Sequence, residues 1–322
     1  MNYQDLEEPM REVIEPVKKE INRVIIGKED VVEKILMALI ADGHILLDDV
    51  PGVGKTTLAL CISRVLGLDY RRVQFTPDVL PSDIVGFSVY DKSNGSLQYM
   101  KGVVNDANLL LGDEINRTSS KTQSALLEAM EERQVTVDGV SHILKKPFCV
   151  IATQNQVGSA GTQKLPQAEM DRFLVQLTMG YPDLPSEMVM LRDRQGVNPL
   201  NDLKQLADAE TVLQWQNEAA EVLVKDAVLS YIAQLAAATR LNPMLQLGIS
   251  PRGSLAVARM AKACAWIRGR DYVTAEDVQE IFLSTCAHRV ILSSAGKTQN
   301  RTAESIMRDT LKVIKLPGRD KQ

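Results

Sequence analysis

Aromatic residues make up only 4% of the 322 positions, and acidic side chains outnumber basic ones, 41 against 37, for a formal charge of −4. A protein that works mainly on phosphate backbones tends to the opposite, a basic surface with aromatic platforms for bases. Both deficits therefore argue against nucleic acid as the main partner. Cysteine is sparse as well: Cys61, Cys149, Cys264 and Cys286 stand far apart, with no CxxC pair, each in an apolar run. They read as reduced core residues rather than as a disulfide framework or a metal site. No apolar run approaches the roughly 20 residues of a membrane span. The longest, around Ile35 to Ile40 and Ile45 to Leu47, are separated by Asp42 and His44. The start, Met1 to Glu8, is acidic and lacks the basic and apolar regions of a signal peptide, so a cytoplasmic protein without membrane anchor is expected. There is no internal repeat of 20 to 50 residues and no low-complexity tail.

What is present is an ordinary globular balance, 45% hydrophobic and 24% charged residues. At roughly 150 residues per domain the length favours about two domains. Val32, Ile35, Leu36, Leu39 and Ile40 follow the spacing of a helix with one buried face. His44 to Asp48 is a short apolar strand ending in a Pro/Gly turn, after which Leu58, Cys61, Ile62, Val65 and Leu66 mark another helical face. Further strands are expected at Arg72 to Phe75, Ala107 to Asp113 and Phe148 to Thr153. Their alternation with helices predicts a mostly parallel α/β sheet with helices on both faces. Two hairpins interrupt it: Phe87 to Tyr90 and Leu97 to Met100 flank Asn94-Gly95, while Gln134 to Val137 and Val140 to Ile143 flank Asp138-Gly139. Taken alone, these could be plain surface hairpins.

From Tyr181 the texture changes. Tyr181-Pro-Asp-Leu-Pro185 reads as a linker, and beyond it strand signals vanish while helical periods dominate, at Val228, Tyr231, Ile232 and Leu235 and again from Ala256 to Trp266. A core at residues 1–180 and an all-helical domain at residues 181–322 are expected. Ser250 before Pro251 predicts a helix N-cap, and Thr274 with Asp277 predicts a capping box. The stretch Asn198 to Asp208 carries no assignable chemistry, and the polar tail from Pro317 to Gln322 is expected to fray.

The strongest chemical signal is Asp49-Val-Pro-Gly52-Val-Gly54-Lys55-Thr56, set between an apolar strand and an amphipathic helix. Gly52 and Gly54 let backbone N–H groups turn inward around phosphates, Lys55 supplies a point charge, and the Thr56 hydroxyl can ligate Mg²⁺. Asp49 stands where the strict phosphate-loop pattern has Gly; because Asp tolerates left-handed backbone, the turn is expected to survive. Leu109 to Leu111 and Gly112 lead into Asp113 and Glu114. In this context Asp113 would hold the Mg²⁺ hydration shell, and Glu114 would orient and deprotonate the water that attacks the γ-phosphate. Asn155 closes the next strand, where a neutral amide can contact both that water and a phosphate oxygen, although a turn Asn is the simpler alternative. Arg252 falls in the first turn of a predicted helix, where the macrodipole disfavours a cation, so a bound triphosphate or a surface carboxylate should compensate it. Arg172, in Asp171-Arg172-Phe173, has no assignable role from spacing beyond pairing with Asp171.

Together these residues resemble the MoxR-type AAA+ ATPase family over nearly the whole chain. The resemblance rests on Ile26-Gly27-Lys28, Gly43 to Leu47, Val50 to Thr57, Gly112 to Arg117, Lys121 to Glu132, Ala152 to Asn155, Asp171 to Phe173 and Ser250 to Arg252. It implies an AAA+ core with a helical lid, working as a homo-oligomeric ring, usually a hexamer, with ATP and Mg²⁺ at each subunit boundary. It assigns Pro51, Gly52, Val53, Gly54, Lys55, Thr56 and Thr57 to phosphate binding, Ile26 and Gly27 to the adenine border, and Thr56 with Asp113 to the metal. Asn155 matches sensor 1, Arg252 matches sensor 2, and Arg172 resembles the arginine finger that reaches into a neighbour's site. The two hairpins match the helix-2 insert and the hairpin before sensor 1, loops that often face the pore or a client. Family members resemble chaperone-like machines, often with a partner carrying a von Willebrand factor A domain, and no D-x-S-x-S metal motif of such a partner occurs in this chain. A nucleic-acid motor and a nucleotide-locked scaffold are the alternatives. DNA-stimulated, salt-sensitive ATPase would mark the first, and absence of turnover the second.

Overall fold

The computed structural model describes residues 11–93, 95–155, 165–193 and 199–317. The acidic start, Asn94 of the first hairpin turn, Asn198 and the tail beyond Pro317 lie outside the described residues. Two helices, α1 (Ile14–Asn22) and α2 (Glu29–Ile40), precede β1 (Ile45–Asp48), α3 (Lys55–Val65), β2 (Tyr70–Gln74) and α4 (Pro81–Val85). A hairpin of β3 (Gly86–Asp91) and β4 (Ser96–Lys101) follows, then β5 (Leu109–Asp113), α5 (Ser120–Glu132), a second hairpin of β6 (Gln134–Val137) and β7 (Val140–Ile143), and β8 (Cys149–Gln154). The rest comprises α6 (Gln167–Met170), β9 (Val175–Leu177), α7 (Leu184–Asp193), α8 (Ala209–Ala220), α9 (Asp226–Arg240), β10 (Leu245–Leu247), α10 (Pro251–Ile267), α11 (Ala275–Cys286), β11 (Ile291–Leu292), α12 (Ser294–Thr298) and α13 (Ala303–Val313).

Five parallel strands form one sheet in the order β2-β5-β8-β1-β9. The central strands read as unbroken apolar runs because both faces are covered. Alternation sorts the side chains: Ile45, Leu47, Leu109, Leu111 and Ile151 join the core with α1 to α3 and the C-terminal helices, while Leu46, Leu110, Val150 and Ala152 pack with Leu126, Leu127 and Met130 of α5. All four cysteines are free and buried, and burial pushes the thiols of Cys61, Cys149 and Cys286 up to about 12.

The expected division between residues 180 and 181 falls between β9 and α7, and the larger apolar cluster runs continuously into helices on both sides of it. The start of the described chain is tied to the late helices: Arg11 N donates to Ile267 O at 2.7 Å, and the Arg11 guanidinium lies 4.6 Å from the centre of the Trp266 ring. Ser250 caps α10 with Pro251 at the first helical position, and Thr274 and Asp277 form the expected capping box on α11. The C-terminal part is not wholly helical, however. β10 and β11 form a two-stranded antiparallel ribbon, in strands of three and two residues that are too short to carry a period.

Both predicted hairpins form. Asp138 and Gly139 take positive φ, as a tight hairpin turn requires. The hairpins touch through Tyr99 and His142, whose rings stack at 3.8 Å, while Phe87, Tyr90, Leu97, Val140 and Ile143 remain exposed. Among the described residues no helix is long and apolar enough to cross a membrane.

Candidate functional site

In an open parallel sheet, ligands bind beyond the carboxyl ends of the strands. That edge collects the loop after β1, the Asp113-Glu114 end of β5 and Asn155 after β8. The loop turns at Gly52 and Gly54, with φ of +85° and +96°, and Gly54 leads straight into α3. A Cβ on either glycine would meet nothing within 4 Å, so open space lies over the loop where phosphates would sit. Asp49 works differently from the expectation. It is not among the described residues with positive φ; instead its buried carboxylate accepts from Gly180 N at 2.9 Å, Met179 N at 2.5 Å and Val50 N at 2.9 Å. The turn survives because the two glycines supply the left-handed residues and Asp49 clasps the loop to the end of β9.

Lys55 Nζ donates to Asn155 Oδ1 at 2.9 Å and to Asp49 O at 3.2 Å. Burial pulls its pKa down, against the raising fields of Asp49, Asp113, Asp48 and Glu114. Asn155 Nδ2 in turn donates to Glu114 Oε1 at 2.6 Å, so the Asn155 amide bridges the loop lysine and the candidate base. Glu114 sits at φ +58°, a costly conformation for a residue with a side chain. Thr153 helps hold it: its hydroxyl accepts from Glu114 N at 2.9 Å and donates to Asp113 Oδ1 at 2.7 Å.

Three further residues escaped the sequence reading. Gln74 Nε2 donates to Glu114 Oε2 at 2.9 Å, Arg117 pairs with the same oxygen at 2.7 Å, and Arg72 donates to Asp113 Oδ2 at 2.8 Å and to Gln74 Oε1 at 2.9 Å. Arg72 and Gln74 share one face of β2, two residues apart, in register beside the end of β5. That polar alternation was the available signal. Thr56 and Asp113 offer the hard oxygens that suit Mg²⁺, an ion that takes few protein ligands and keeps water and phosphate oxygens. Among the described residues there is no cluster of three or more His, Cys, Asp or Glu that could hold a metal ion. Ile26 and Gly27 precede α2, with Gly27 at φ +70° against Ser186 at the start of α7, and Lys28 Nζ donating to Tyr181 O at 2.8 Å. This is the corner to which the family resemblance assigns the adenine border.

Arg172 and Arg252 lie elsewhere. Leu174 N donates to His44 O at 2.8 Å, and Ile45 pairs with Val175, so Arg172 sits by the amino end of β1 while the phosphate loop follows its carboxyl end. Four strand residues, roughly 13 Å, separate those ends. Arg172 does not pair with Asp171. Asp171 is taken by buried Arg289 and by Ser250 Oγ at 3.2 Å, and Arg172 Nε pairs instead with Glu131 at 3.0 Å. The same carboxylate accepts from Arg252 Nη1 at 3.0 Å, which is the surface-carboxylate partner foreseen for the first turn of α10. Arg172 and Arg252 line one cavity of about 800 Å³ to which no phosphate-loop residue contributes. It also receives Arg133, Arg259, Lys262 and Arg289, against the acids Asp42, Glu131 and Asp171. Burial lowers the pKa of Arg259 and of Arg289, and the Asp42 and Asp171 carboxylates respectively oppose that shift.

Comparison with known proteins agrees with the geometry. Residues 44–175 match the model of the ATPase family associated with various cellular activities, and residues 237–310 match the AAA lid domain. A Bacillus subtilis protein, YeaC, is 43% identical, with 98% of each chain covered. The chaperone MoxR1 of Mycobacterium tuberculosis is 38% identical over 92% of this chain and 81% of its own length. The crystal structure of an ATPase candidate from Cytophaga hutchinsonii superposes with a TM-score of 0.86 at 34% identity, covering 94% of both chains. With an AAA core, an AAA lid and these relatives, the chain belongs to the MoxR-type AAA+ ATPase family.

Proposed function

We propose that this ATPase works as a homo-oligomeric ring, a hexamer on the family pattern, and uses Mg-ATP hydrolysis to remodel or assemble other proteins. The observation that carries the reading is the separation of Arg172 and Arg252 from the phosphate loop of their own chain. A developing negative charge on the γ-phosphate needs cations beyond Lys55, and on this reading these two are supplied to a neighbour's nucleotide.

On this reading the glycine loop and the α3 amino terminus bind the triphosphate, Lys55 leaves Asn155 for the β- and γ-oxygens, and Ile26 and Gly27 border the adenine. Mg²⁺ held through Thr56 and Asp113 would neutralise charge on the same oxygens. Asn155, released by Lys55, keeps its amide on Glu114 and turns its carbonyl toward the attacking water. Glu114 takes the proton of that water, with Gln74, Arg117 and Thr153 fixing its direction. The chaperone name of the Mycobacterium tuberculosis relative and the exposed apolar hairpins support a protein client, and a partner with a von Willebrand factor A domain is part of the proposal. The core near residues 1–180 and the lid beyond are proposed as the two moving bodies, in the cytoplasm.

Glu114→Gln is expected to retain ATP binding and lose turnover by at least about 100-fold. Arg172→Ala should lose roughly 1,000-fold. Mixing the two variants should restore activity, because each supplies what the other lacks. Full turnover by Glu114→Gln, or no recovery on mixing, would contradict the assignment.

A further inference from the structure

We propose that Glu131 is a positioning residue: it holds Arg172 and Arg252 as a matched pair of cations for presentation to a neighbouring chain. The inference rests on the reading that hydrolysis is completed between chains, and it adds a residue which that reading leaves without a role.

Glu131 lies in the last turn of α5 and uses its two oxygens separately. Oε2 pairs with Arg172 Nε and Oε1 accepts from Arg252 Nη1, each at 3.0 Å. One arginine comes from the turn before β9 and the other from the first turn of α10, so a single carboxylate joins two elements that are 80 residues apart in the chain. Among the described residues neither guanidinium has another hydrogen-bond or ion-pair partner, and their side chains stay 28% and 45% exposed. Arg172 is paired through Nε, which leaves its two terminal nitrogens, the fork that suits a phosphate, without a partner among the described residues.

The elements around Glu131 and Arg172 are tied into the fold. Met130 O, one residue before Glu131, contacts buried His44 Nε2 at 3.0 Å. Arg133, two residues after it, donates to Asp42 O at 2.7 Å and to Asp42 Oδ1 at 2.9 Å. Asp171 beside Arg172 is fixed by Arg289 and Ser250. Two like charges brought together repel, and Arg252 is further disfavoured by its own helix dipole. Glu131 offsets both effects while leaving donors free, which is what a group that orients a transition-state cation must do.

Glu131→Gln keeps the size and removes the charge. The expected result is a kcat about 10- to 100-fold lower, the scale of a small misplacement at a reacting centre, with KM for ATP little changed because the phosphate loop is untouched. Mixing assigns the defect. Glu131→Gln chains should recover activity with Glu114→Gln chains, which offer intact arginines, and should not recover with Arg172→Ala chains, which fail at the same place. The double variant Glu131→Gln/Arg172→Ala should be no slower than Arg172→Ala alone. Wild-type turnover by Glu131→Gln, recovery with Arg172→Ala, or failure to recover with Glu114→Gln while Arg172→Ala does recover would each overturn the proposal. If Arg172→Ala itself is not rescued by Glu114→Gln, the between-chain reading falls, and the role of Glu131 falls with it.

Discussion

At His44 a single imidazole joins two elements, and its chemistry fixes its charge. Nδ1 accepts from Val150 N at 2.9 Å, so Nε2 carries the proton and donates to Met130 O at 3.0 Å. Protonating Nδ1 would set two donors against each other, and burial, aided by Arg133, holds the pKa well below the ordinary histidine value. The folded protein therefore resists taking the proton that the unfolded chain binds below about pH 6.5. Stability is unaffected by this group above that pH and is lost progressively as pH falls below it, until the depressed folded pKa is reached. The thermal midpoint should therefore drop between pH 7.5 and 5.5, and His44→Gln should show a smaller drop. An equal drop in the variant would show that His44 does not set this dependence. His288, buried and similarly lowered, leaves part of the slope in place.

Among the elements, α5 has the widest reach. Its 13 residues, roughly 20 Å long, begin just after Glu114 and Arg117 and end at Glu132, next to Glu131, so one rod spans from the candidate phosphate site to the carboxylate that holds Arg172 and Arg252. β1 carries the matching relation along the sheet, with the phosphate loop at one end and His44 at the other. Asp49 secures the loop end of that strand to β9. Asp49→Ala would leave the N–H groups of Val50, Met179 and Gly180 without their acceptor, and buried donors left unpaired cost about 1–3 kcal/mol. Urea unfolding should show a loss of that order together with weaker ATP binding, whereas unchanged stability would mean that water replaces the carboxylate.

These elements were unequally legible in the sequence. β1, β5 and β8 are buried on both faces and declare themselves as apolar runs, and Gly52 and Gly54 mark the loop. β9, β10 and β11 have three residues or fewer, and their backbone pairing leaves no sequence period. Long-range choices were also hidden: nothing near Asp171 shows that Arg289, 118 positions later, claims its carboxylate and sends Arg172 to Glu131. Gln74 and Arg72 looked like the polar face of an edge strand, and only the register of β2 with β5 turns that face toward Glu114.

At the scale of the whole molecule, the proposed function divides one reaction between opposite edges of the sheet. The carboxyl edge has Lys55, Asp113, Glu114 and Asn155, the proposed phosphate, metal, base and water contacts. The amino edge has Arg172 and Arg252, with a shared carboxylate and a basic cavity. On the proposed ring, a head-to-tail contact would join one edge to the other, and such heterologous contacts close into rings when the rotation allows. The modest net charge of −4 and the 4% aromatic content fit a protein client better than a nucleic-acid track.

The central claim is that hydrolysis needs two chains, and the most direct test is the steady-state ATPase rate per subunit over a wide protein concentration range, with Mg²⁺ present and sizing at each dilution. The rate per subunit should rise cooperatively with concentration and track the assembled fraction. A rate that stays constant down to concentrations where sizing shows only single chains would contradict the account, because one chain would then be completing its own site.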